Sequence, residues 1–260
     1  MTLFLLCKIH LGPMVAEFPG VVSFLSKLLA NEQISILNMS TYDTDVIFVQ
    51  AQHLEAAIMC LQSKLSRGLH GLKEAKEAEN ALVPKLPSHA SESSEEMVDL
   101  RSASRVGDGQ YLTVYPESLV LVRLQKDTLR SSAYGLTQLV LLSTKLASIE
   151  ESDGEALGEM SFWCFCETAE EVSLIMDQRC LPSFEESPLI ISPDRWRAIK
   201  LSGRAYGFDE TGVVAVMSGC STDVLNVSCF GSNVAFVLDY MLADAIEALC
   251  SSLDISRVER

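Results

Sequence analysis

The sequence is poor in positive charge, in histidine and in long apolar runs. Its 260 residues include 20 lysines and arginines against 35 aspartates and glutamates, a formal net charge of −15. Because nucleic acids and anionic membranes are recognised through basic surfaces, this balance argues against both as partners. It is compatible with a cationic ligand.

The apolar run near the start, within MTLFLLCKIHLG, is too short to cross a membrane as a helix. It also lacks the basic residues that open a signal peptide, so it is predicted to be a buried strand. Most of the eight cysteines lie in apolar periodic segments, as reduced thiols do in the cytosol. We therefore predict a cytoplasmic protein.

Catalytic motifs are also missing. There is no glycine-rich phosphate loop, no G-x-S-x-G and no H-E-x-x-H. Cys164 and Cys166 form a C-x-C pair without the second pair that a zinc site would need. Two of the four histidines, His70 and His89, lie in or beside a polar segment. The sequence therefore predicts a protein that is not an enzyme and that holds no metal and no cofactor.

What the sequence does contain is an internal repeat. The stretch Ile34–Leu61 returns without a gap as Thr222–Leu249, at an offset of 188 residues. Both copies have the pattern of a strand, a tight polar turn, a strand and an amphipathic helix. The identical pairs are Leu37/Leu225, Asn38/Asn226, Ser40/Ser228, Val46/Val234, Phe48/Phe236, Val49/Val237, Leu54/Leu242, Ala57/Ala245, Ile58/Ile246 and Leu61/Leu249. Such a repeat indicates duplicated modules.

The repeat extends toward the amino terminus of each copy. At an offset of 192, Trp196–Leu201 falls within the segment Leu3–Ile9, with Lys200 over Lys8, and the Gly-Val-Val at 212–214 lies over that at 20–22. A helix is predicted over Val21–Asn31. Its apolar face is predicted to contain Val21, Val22, Phe24, Leu25, Leu28 and Leu29. The resulting order β-α-β-β-α predicts an α+β fold of tandem βαββαβ modules, with antiparallel sheets and helices on one face.

The sequence predicts four regions. Residues 1–66 form the first module, and residues 194–255 form its duplicate. Residues 67–110 are rich in serine, proline and glutamate and are predicted to be a disordered linker. Residues 111–193 repeat the β-α-β-β order around an inserted acidic loop, Glu150–Glu159. Their closing helix, around Arg179–Glu186, is predicted to be weak because it contains Pro182.

The segment Tyr206–Val214, YGFDETGVV, has two readings. In the structural reading, Asp209 or Thr211 caps the following helix. In the functional reading, free N–H groups near Gly212 receive an α-carboxylate and Glu210 faces an α-ammonium group. The residues alone leave both readings open. Asp43 and Asp45 read more simply as carboxylates of a solvated turn.

The module order and three sequence segments resemble a known protein family. Strand–loop–helix–strand–strand–helix modules with glycine at the helix entry resemble ACT domains, which bind amino acids between paired copies. STYDTD (40–45), WRAIKLSGRAYGFDETGVVA (196–215) and VSCFGSNVAFV (227–237) resemble the CASTOR-type cytosolic arginine sensors over nearly the whole chain. Members of that family carry four ACT modules, and the resemblance implies that this chain begins at the second.

The resemblance implies a ligand site between the first and last modules. Carried over by position, its residues are Ser35, Ile36, Gly207, Glu210, Thr211, Gly212, Val213, Cys229, Phe230, Gly231 and Asn233. The implied ligand is a free amino acid, arginine first. Asn233 stands where the family has an acidic residue, so charge assistance worth roughly 1 kcal/mol or more would be lost. We therefore expect altered arginine selectivity.

The resemblance also implies a protein partner. The turn with Tyr42, Asp43 and Asp45 corresponds to the turn that contacts a GATOR-type complex upstream of the TOR growth kinase, with Asp43 where the family has glutamine. Two functions stay open: an amino-acid sensor that signals through a protein partner, and an ACT regulatory subunit or fragment controlling a biosynthetic enzyme such as aspartate kinase. A homodimer is also left open. The first and last modules are predicted to lie side by side, with Ser35 facing the 207–212 loop.

Overall fold

A computed structural model describes most of the chain. The described residues are 4–10 (backbone only), 20–64, 109–148, 162–169, 171–184, 189–207, 210–221, 223–229 and 231–260. Nearly all of the predicted linker (67–110) and all of the predicted acidic loop (150–159) lie outside these ranges. Both therefore stay predictions.

The first repeat has the element order that its sequence predicts. Its elements are β1 (Phe4–His10), α1 (Val21–Asn31), β2 (Ile36–Ser40), β3 (Thr44–Gln50) and α2 (Leu54–Lys64). The strands form an antiparallel sheet in the order β1-β3-β2. Helix α1 buries Val22, Leu25 and Leu29, but Phe24 is 45% exposed. The prediction for Phe24 is wrong because Phe24 lies about 200° around the helix from Val22.

The strands of the middle region pair antiparallel in the order β8-β5-β7-β6. Through β5 they join the sheet of the repeats, with Leu119 opposite Trp196 of the last repeat. The elements of residues 109–191 are β4 (Tyr111–Val114), β5 (Leu119–Leu124), α3 (Ala133–Ser148), β6 (Trp163–Glu167), β7 (Val172–Asp177) and β8 (Leu189–Ile191). The predicted closing helix is instead a 3-10 helix, Gln178–Phe184, with Pro182 inside it. A proline removes a backbone donor, which an α-helix would need at that position.

The last repeat continues the sheet. Its elements are β9 (Trp196–Ser202), α4 (Val213–Met217), β10 (Val224–Cys229), β11 (Ser232–Leu238), α5 (Leu242–Leu253) and β12 (Val258–Glu259). Strand β4 pairs antiparallel with β9, and β12 pairs parallel with β4. Thus β4, which the sequence assigns to the middle region, pairs with strands of the last repeat.

The two repeats meet strand to strand. Strands β2 and β10 are antiparallel neighbours, with Met39 opposite Val227. These two positions are equivalent in the repeat, so an approximate twofold axis passes between them. The sheet runs through the junction in the order β1-β3-β2-β10-β11-β9. The prediction that the first and last modules lie side by side is confirmed.

The joined sheet is buried on both faces. On one face, α1 packs beside α4, and Val214 of α4 joins the apolar core of the first repeat. On the other face, Phe236 packs against the middle region, where Phe162 lies edge-on to it at 5.3 Å and to Tyr115 at 5.1 Å. The molecule is therefore an α+β protein of antiparallel modules, with the middle region behind the repeats.

Some features concern the described residues as a whole. In those ranges no helix combines the length and apolarity needed to cross a membrane. No cluster of three or more histidine, cysteine, aspartate or glutamate side chains there could hold a metal ion. Cys60, Cys166, Cys180 and Cys220 are buried and lie outside any disulfide. Cys229 is exposed, because it lies at the end of β10 beside the cleft described next.

Candidate functional site

A narrow cleft lies where the two repeats meet, between the start of β2, the end of β10 and the loop that enters α4. Its free interior is about 20 Å³, which is room for roughly one water molecule. The lining residues are Ile36, Leu37, Tyr206, Gly207, Glu210, Val213, Val214, Ser228, Cys229, Ser232 and Asn233. Both repeats contribute, so the cleft belongs to neither module alone.

Ser35 joins the two walls of the cleft. It immediately precedes β2, is buried, and donates a hydrogen bond from Oγ to the backbone oxygen of Glu210 at 2.8 Å. Ser35 belongs to the first repeat and Glu210 to the last. The predicted facing of Ser35 and the 207–212 loop is therefore confirmed, and Ile36 follows it into the lining.

The Glu210 carboxylate is held by its own loop. Arg204 donates from Nη1 to Oε1 at 2.7 Å and from Nη2 to Oε2 at 2.5 Å, and the Gly207 N–H donates to Oε1 at 2.9 Å. Burial alone would raise the pKa of Glu210, but the bonds from Arg204 and Gly207 outweigh it and lower the pKa. Glu210 is therefore ionised at neutral pH.

The Tyr206 side chain packs against the Arg204 side of this ion pair. The Arg204 guanidinium lies 4.5 Å from the centre of the Tyr206 ring, in cation–π geometry. The Tyr206 hydroxyl accepts a hydrogen bond from Gln110 at 3.0 Å, and its N–H donates to the Gly231 oxygen at 3.4 Å. Burial raises the pKa of Tyr206 to about 12. Tyr206 thus ties the loop to Gln110, just before β4, and to the turn between β10 and β11.

The entry to α4 differs from the prediction. Gly212 is the N-cap, in the left-handed conformation with φ 82°, and no side chain of the described residues caps the helix. The structural reading with Thr211 as cap is wrong, because the chain enters the helix at Gly212, through a φ that glycine adopts at little cost. Asp209 lies outside the described residues, so its part of that reading stays a prediction. Gly20 enters α1 in the same way, with φ 81°. Thr211 and Val213 are buried beside the cleft.

The opposite end of the predicted site is mostly backbone. Cys229 is exposed, and the Gly231 oxygen already accepts the Tyr206 N–H. Asn233 is 3% exposed, accepts from Asn226 Nδ2 at 2.8 Å and donates to Ser228 Oγ at 2.8 Å. Phe230 lies outside the described residues. Asn233 therefore lines the cleft while its amide serves the packing of the repeats.

A buried polar network crosses the twofold axis next to the cleft. The Asn38 N–H donates to Ser228 Oγ at 3.2 Å, and the Asn226 N–H donates to Ser40 Oγ at 2.9 Å. The approximate twofold axis relates these two bonds, because Asn38 is equivalent to Asn226 and Ser40 to Ser228 in the repeat. Ser40 Oγ also donates to Asp45 at 2.6 Å, at the position where the other repeat has Asn233. The network fixes the register of β2 on β10.

The turn predicted to bind a partner packs against the middle region. Tyr42 donates from its N–H to Ser173 Oγ at 2.9 Å, and the Asp43 carboxylate contacts Arg123 at 2.6 Å. Asp45 is 4% exposed, and its carboxylate faces the inter-repeat network. Its assignment to a partner surface and to a solvated turn does not fit this conformation, because Asp45 belongs to β3, which is buried on both faces at this end.

The sequence interpretation missed two charged residues of this area and the polar pairs on the axis. Arg204 is only six residues from Glu210, but nothing in the local pattern shows that the loop folds back on itself. Arg123 comes from a strand of the middle region, far away in sequence. Asn38/Asn226 and Ser40/Ser228 did carry a signal, since they are identical polar pairs inside two apolar strands.

Comparisons with known proteins give an ACT domain over residues 5–63. The chain is 26% identical over 232 residues to a protein of Bos taurus named cytosolic arginine sensor for mTORC1 subunit 1. The match covers 85% of this chain and 66% of the relative. The human protein of the same name is 25% identical over 234 residues, with the same coverage. The chain thus spans 66% of the length of these relatives.

Among solved structures, the chain matches protein Atu0741 of Agrobacterium tumefaciens, with 18% identity and a TM-score of 0.39. That match covers 59% of this chain and 96% of the other. An aspartate kinase from Synechocystis matches with 12% identity and a TM-score of 0.33, over 99% of this chain and 41% of the kinase.

Proposed function

We propose that this chain, a distant relative of the CASTOR-type cytosolic arginine sensors, is a non-catalytic regulatory protein that binds a free amino acid. We propose arginine, or a related amino acid, as the ligand and the cytoplasm as the place of action. Bound ligand is signalled by contact with a protein partner, which by family resemblance is a GATOR-type complex of the TOR pathway.

One observation carries the proposal. The cleft is shared by both repeats and is bridged by the Ser35–Glu210 hydrogen bond at 2.8 Å. A ligand that enters this junction contacts two modules at once, so its binding free energy can change how they pack. Regulatory proteins need such a coupling between a ligand and a change in the fold.

The chemistry of the cleft suits the head group that all amino acids share. Glu210 provides a carboxylate for the α-ammonium group, with Gly207 beside it. Backbone amides at Gly212 and Val213, beside Thr211, are the proposed partners of the α-carboxylate. Because α4 has only five residues, its dipole adds little to this site. Ser35 and Ile36 form the facing wall.

The opposite end of the cleft is where side-chain selectivity would arise. By family resemblance, backbone carbonyls of Cys229, Phe230 and Gly231 are the proposed acceptors of a guanidinium group, with Phe230 outside the described residues. Asn233 offers an amide in place of a carboxylate. A cation there finds dipoles but no full opposite charge. We therefore propose weaker discrimination between arginine and neutral amino acids than a carboxylate at this position would give.

The proposed partner surface is the turn between β2 and β3, where Tyr42 and Asp43 are half-buried at the edge of the middle region. Strand β2 spans only five residues between the cleft, at Ser35, and this turn. A change in how β2 pairs with β10 would therefore move both ends. Asp45 acts from inside, through the network, and not as a contact residue.

Two experiments test this proposal. A thermal-shift screen of the twenty amino acids is expected to raise the melting temperature with arginine or a related amino acid, because a ligand that binds only the folded state stabilises it. No shift with any amino acid would contradict the proposal. A pull-down with and without the binding amino acid then identifies the partner. Recovery of a biosynthetic enzyme such as an aspartate kinase would favour the alternative regulatory-subunit role.

A further inference from the structure

We propose that Arg204 is a built-in competitor for the Glu210 carboxylate, so that an incoming amino acid must displace its guanidinium before the site fills. This inference rests on the proposed function, because the competing group is the α-ammonium of the bound amino acid. Arg204 is then a specificity and threshold residue of the same site.

The contacts of Arg204 are those by which proteins recognise a guanidinium ion. Its two terminal nitrogens bind the two oxygens of Glu210 at 2.7 and 2.5 Å in a parallel fork. Its planar group stacks over the Tyr206 ring at 4.5 Å. A carboxylate and an aromatic face thus hold a cation that the chain itself supplies.

This arrangement removes the charge on which ligand binding would rely. Glu210 is the one acidic side chain among the described residues that line the cleft. Its Oε1 accepts from both Arg204 and the Gly207 N–H, and its Oε2 accepts from Arg204. A second cation therefore approaches a neutral pair, unless Arg204 gives up at least one of its two bonds.

The surroundings of Arg204 allow its guanidinium to separate from the Glu210 carboxylate. Its side chain is 30% exposed, so the guanidinium has a short path to solvent. Its Nε is buried and has no hydrogen-bond partner within the described part of the chain, so part of its bonding capacity is unused. An ion pair in partial contact with water is weakly held. The narrow interior of the cleft fits a closed, self-occupied state.

Self-occupation lowers the apparent affinity for ligand by the fraction of molecules in which Glu210 is free. The site would then fill only above a threshold concentration of amino acid. Removing the competitor is expected to lower that threshold, whereas removing an arginine elsewhere is not.

Calorimetry with L-arginine on the full chain and on two charge-matched variants tests the inference. Arg204→Gln removes the competing charge and keeps a polar side chain. Arg197→Gln is the control, because it removes the same charge at a site outside the cleft lining. In the wild type, Arg197 pairs with Asp239 and the Tyr115 oxygen. Arg204→Gln is expected to bind L-arginine roughly threefold to tenfold more tightly than the wild type. Arg197→Gln is expected to match the wild type.

N-acetyl-L-arginine provides the second arm, since it lacks the α-ammonium group and should gain nothing from Arg204→Gln. An affinity for L-arginine that is unchanged or weakened in Arg204→Gln would overturn the inference while leaving the proposed function intact. Weakened binding would mean that Arg204 contacts the ligand directly. If no amino acid binds the wild type or Arg204→Gln, the proposed function falls, and the inference falls with it.

Discussion

At the scale of single residues, the two copies of the repeat differ in charge at one buried position. Asp45 and Asn233 occupy equivalent positions beside Ser40 and Ser228, and both side chains are buried. One half keeps an acid at this position and the other an amide. Burial of the acid raises its pKa to about 6, which the hydrogen bond from Ser40 only partly offsets. The acid therefore costs stability at neutral pH, where it is ionised.

Asp45→Asn is expected to stabilise the protein at neutral pH. Since the folded-state pKa is about 6 against 3.8 for the free group, folding weakens as pH rises through that window and stays weaker above it. That difference corresponds to at most about 3 kcal/mol. An amide at this position can donate to Ser40, as Asn233 does to Ser228, and frees the Ser40 hydroxyl for the unpaired Asn38 Oδ1.

Urea unfolding at pH 4, 5, 6 and 7.5 checks this prediction. The free energy of unfolding of Asp45→Asn should exceed that of the wild type at pH 7.5, and the two values should converge near pH 4. Asp43→Asn is the matched control, because that carboxylate is paired with Arg123 and its loss should not stabilise. A gap between Asp45→Asn and wild type that does not change with pH would show that ionisation of Asp45 is not the cause.

Asn233→Asp is expected to tighten the binding of arginine. Ser228 can donate to the new carboxylate as Ser40 does to Asp45, so the packing tolerates it. A negative charge at the cleft wall would favour a guanidinium by roughly fivefold at pH 8 and by less at pH 6, because burial raises the pKa of such an acid.

Titration calorimetry with L-arginine, and with L-citrulline as the uncharged control, measures this effect. Citrulline should gain nothing. Equal affinity of both proteins for arginine would mean that position 233 does not set the charge preference.

At the scale of elements, the turn between β2 and β3 is clamped to the middle region. Thr41 Oγ1 donates to Glu171 Oε1 at 2.5 Å, and the Asp43 N–H donates to the same oxygen at 3.2 Å. Arg123 Nε lies 3.4 Å from Glu171 Oε2, an ionic contact without hydrogen-bond geometry. Glu171 is 2% exposed, so these neighbours take the place of water around its carboxylate.

Arg123→Gln is expected to loosen this turn. The substitution removes the partner of Asp43 and leaves the buried Glu171 without an opposite charge, at a cost of roughly 1–3 kcal/mol. Amide hydrogen exchange at residues 41–44 should rise at least tenfold, while exchange in the core strand β11 follows only the global loss of stability.

Arg195→Gln is the control, because the Arg195 guanidinium is exposed and bonds to the Pro193 and Asp194 oxygens. If amide hydrogen exchange at residues 41–44 is the same in Arg123→Gln as in this control, backbone pairing alone holds the turn.

The secondary structure of both repeats could be predicted from sequence because apolar spacing carries it. Val22, Leu25 and Leu29 predict α1, and the short apolar run Val46–Val49 after a polar turn predicts β3. The pairing of β4 with β9 was not predictable, since strand periodicity fixes which face is buried but not which strand lies alongside. The sequence offered Thr211 as a cap of α4 because polar residues before a helix usually cap it, whereas the N-cap is Gly212.

At the scale of the whole molecule, duplication explains why the site lies where it does. An approximate twofold axis at Met39 and Val227 brings the start of β2 to the end of β10. This juxtaposition was predictable from the repeat, because equivalent edges can pair about such an axis. The self-occupation of Glu210 by Arg204 was not predictable, because it depends on the path of one loop.

The middle region gives the assembly its asymmetry. It packs on the back of the joined sheet through Phe162 and Phe236, and it holds the turn at Thr41 through Glu171. Ligand at the cleft and partner at the turn would therefore act on opposite ends of β2, with the middle region as a fixed support. This coupling stays part of the proposal.

The central claim is that a free amino acid binds between the first and last repeats. Hydrogen exchange with saturating L-arginine tests it most directly, because the readout is located in the sequence. The account predicts slower exchange in residues 34–37 and 210–216 together, with little change in residues 119–124. Binding that protects only one of the two cleft segments, or only the middle region, would contradict the claim, as would the absence of any protection.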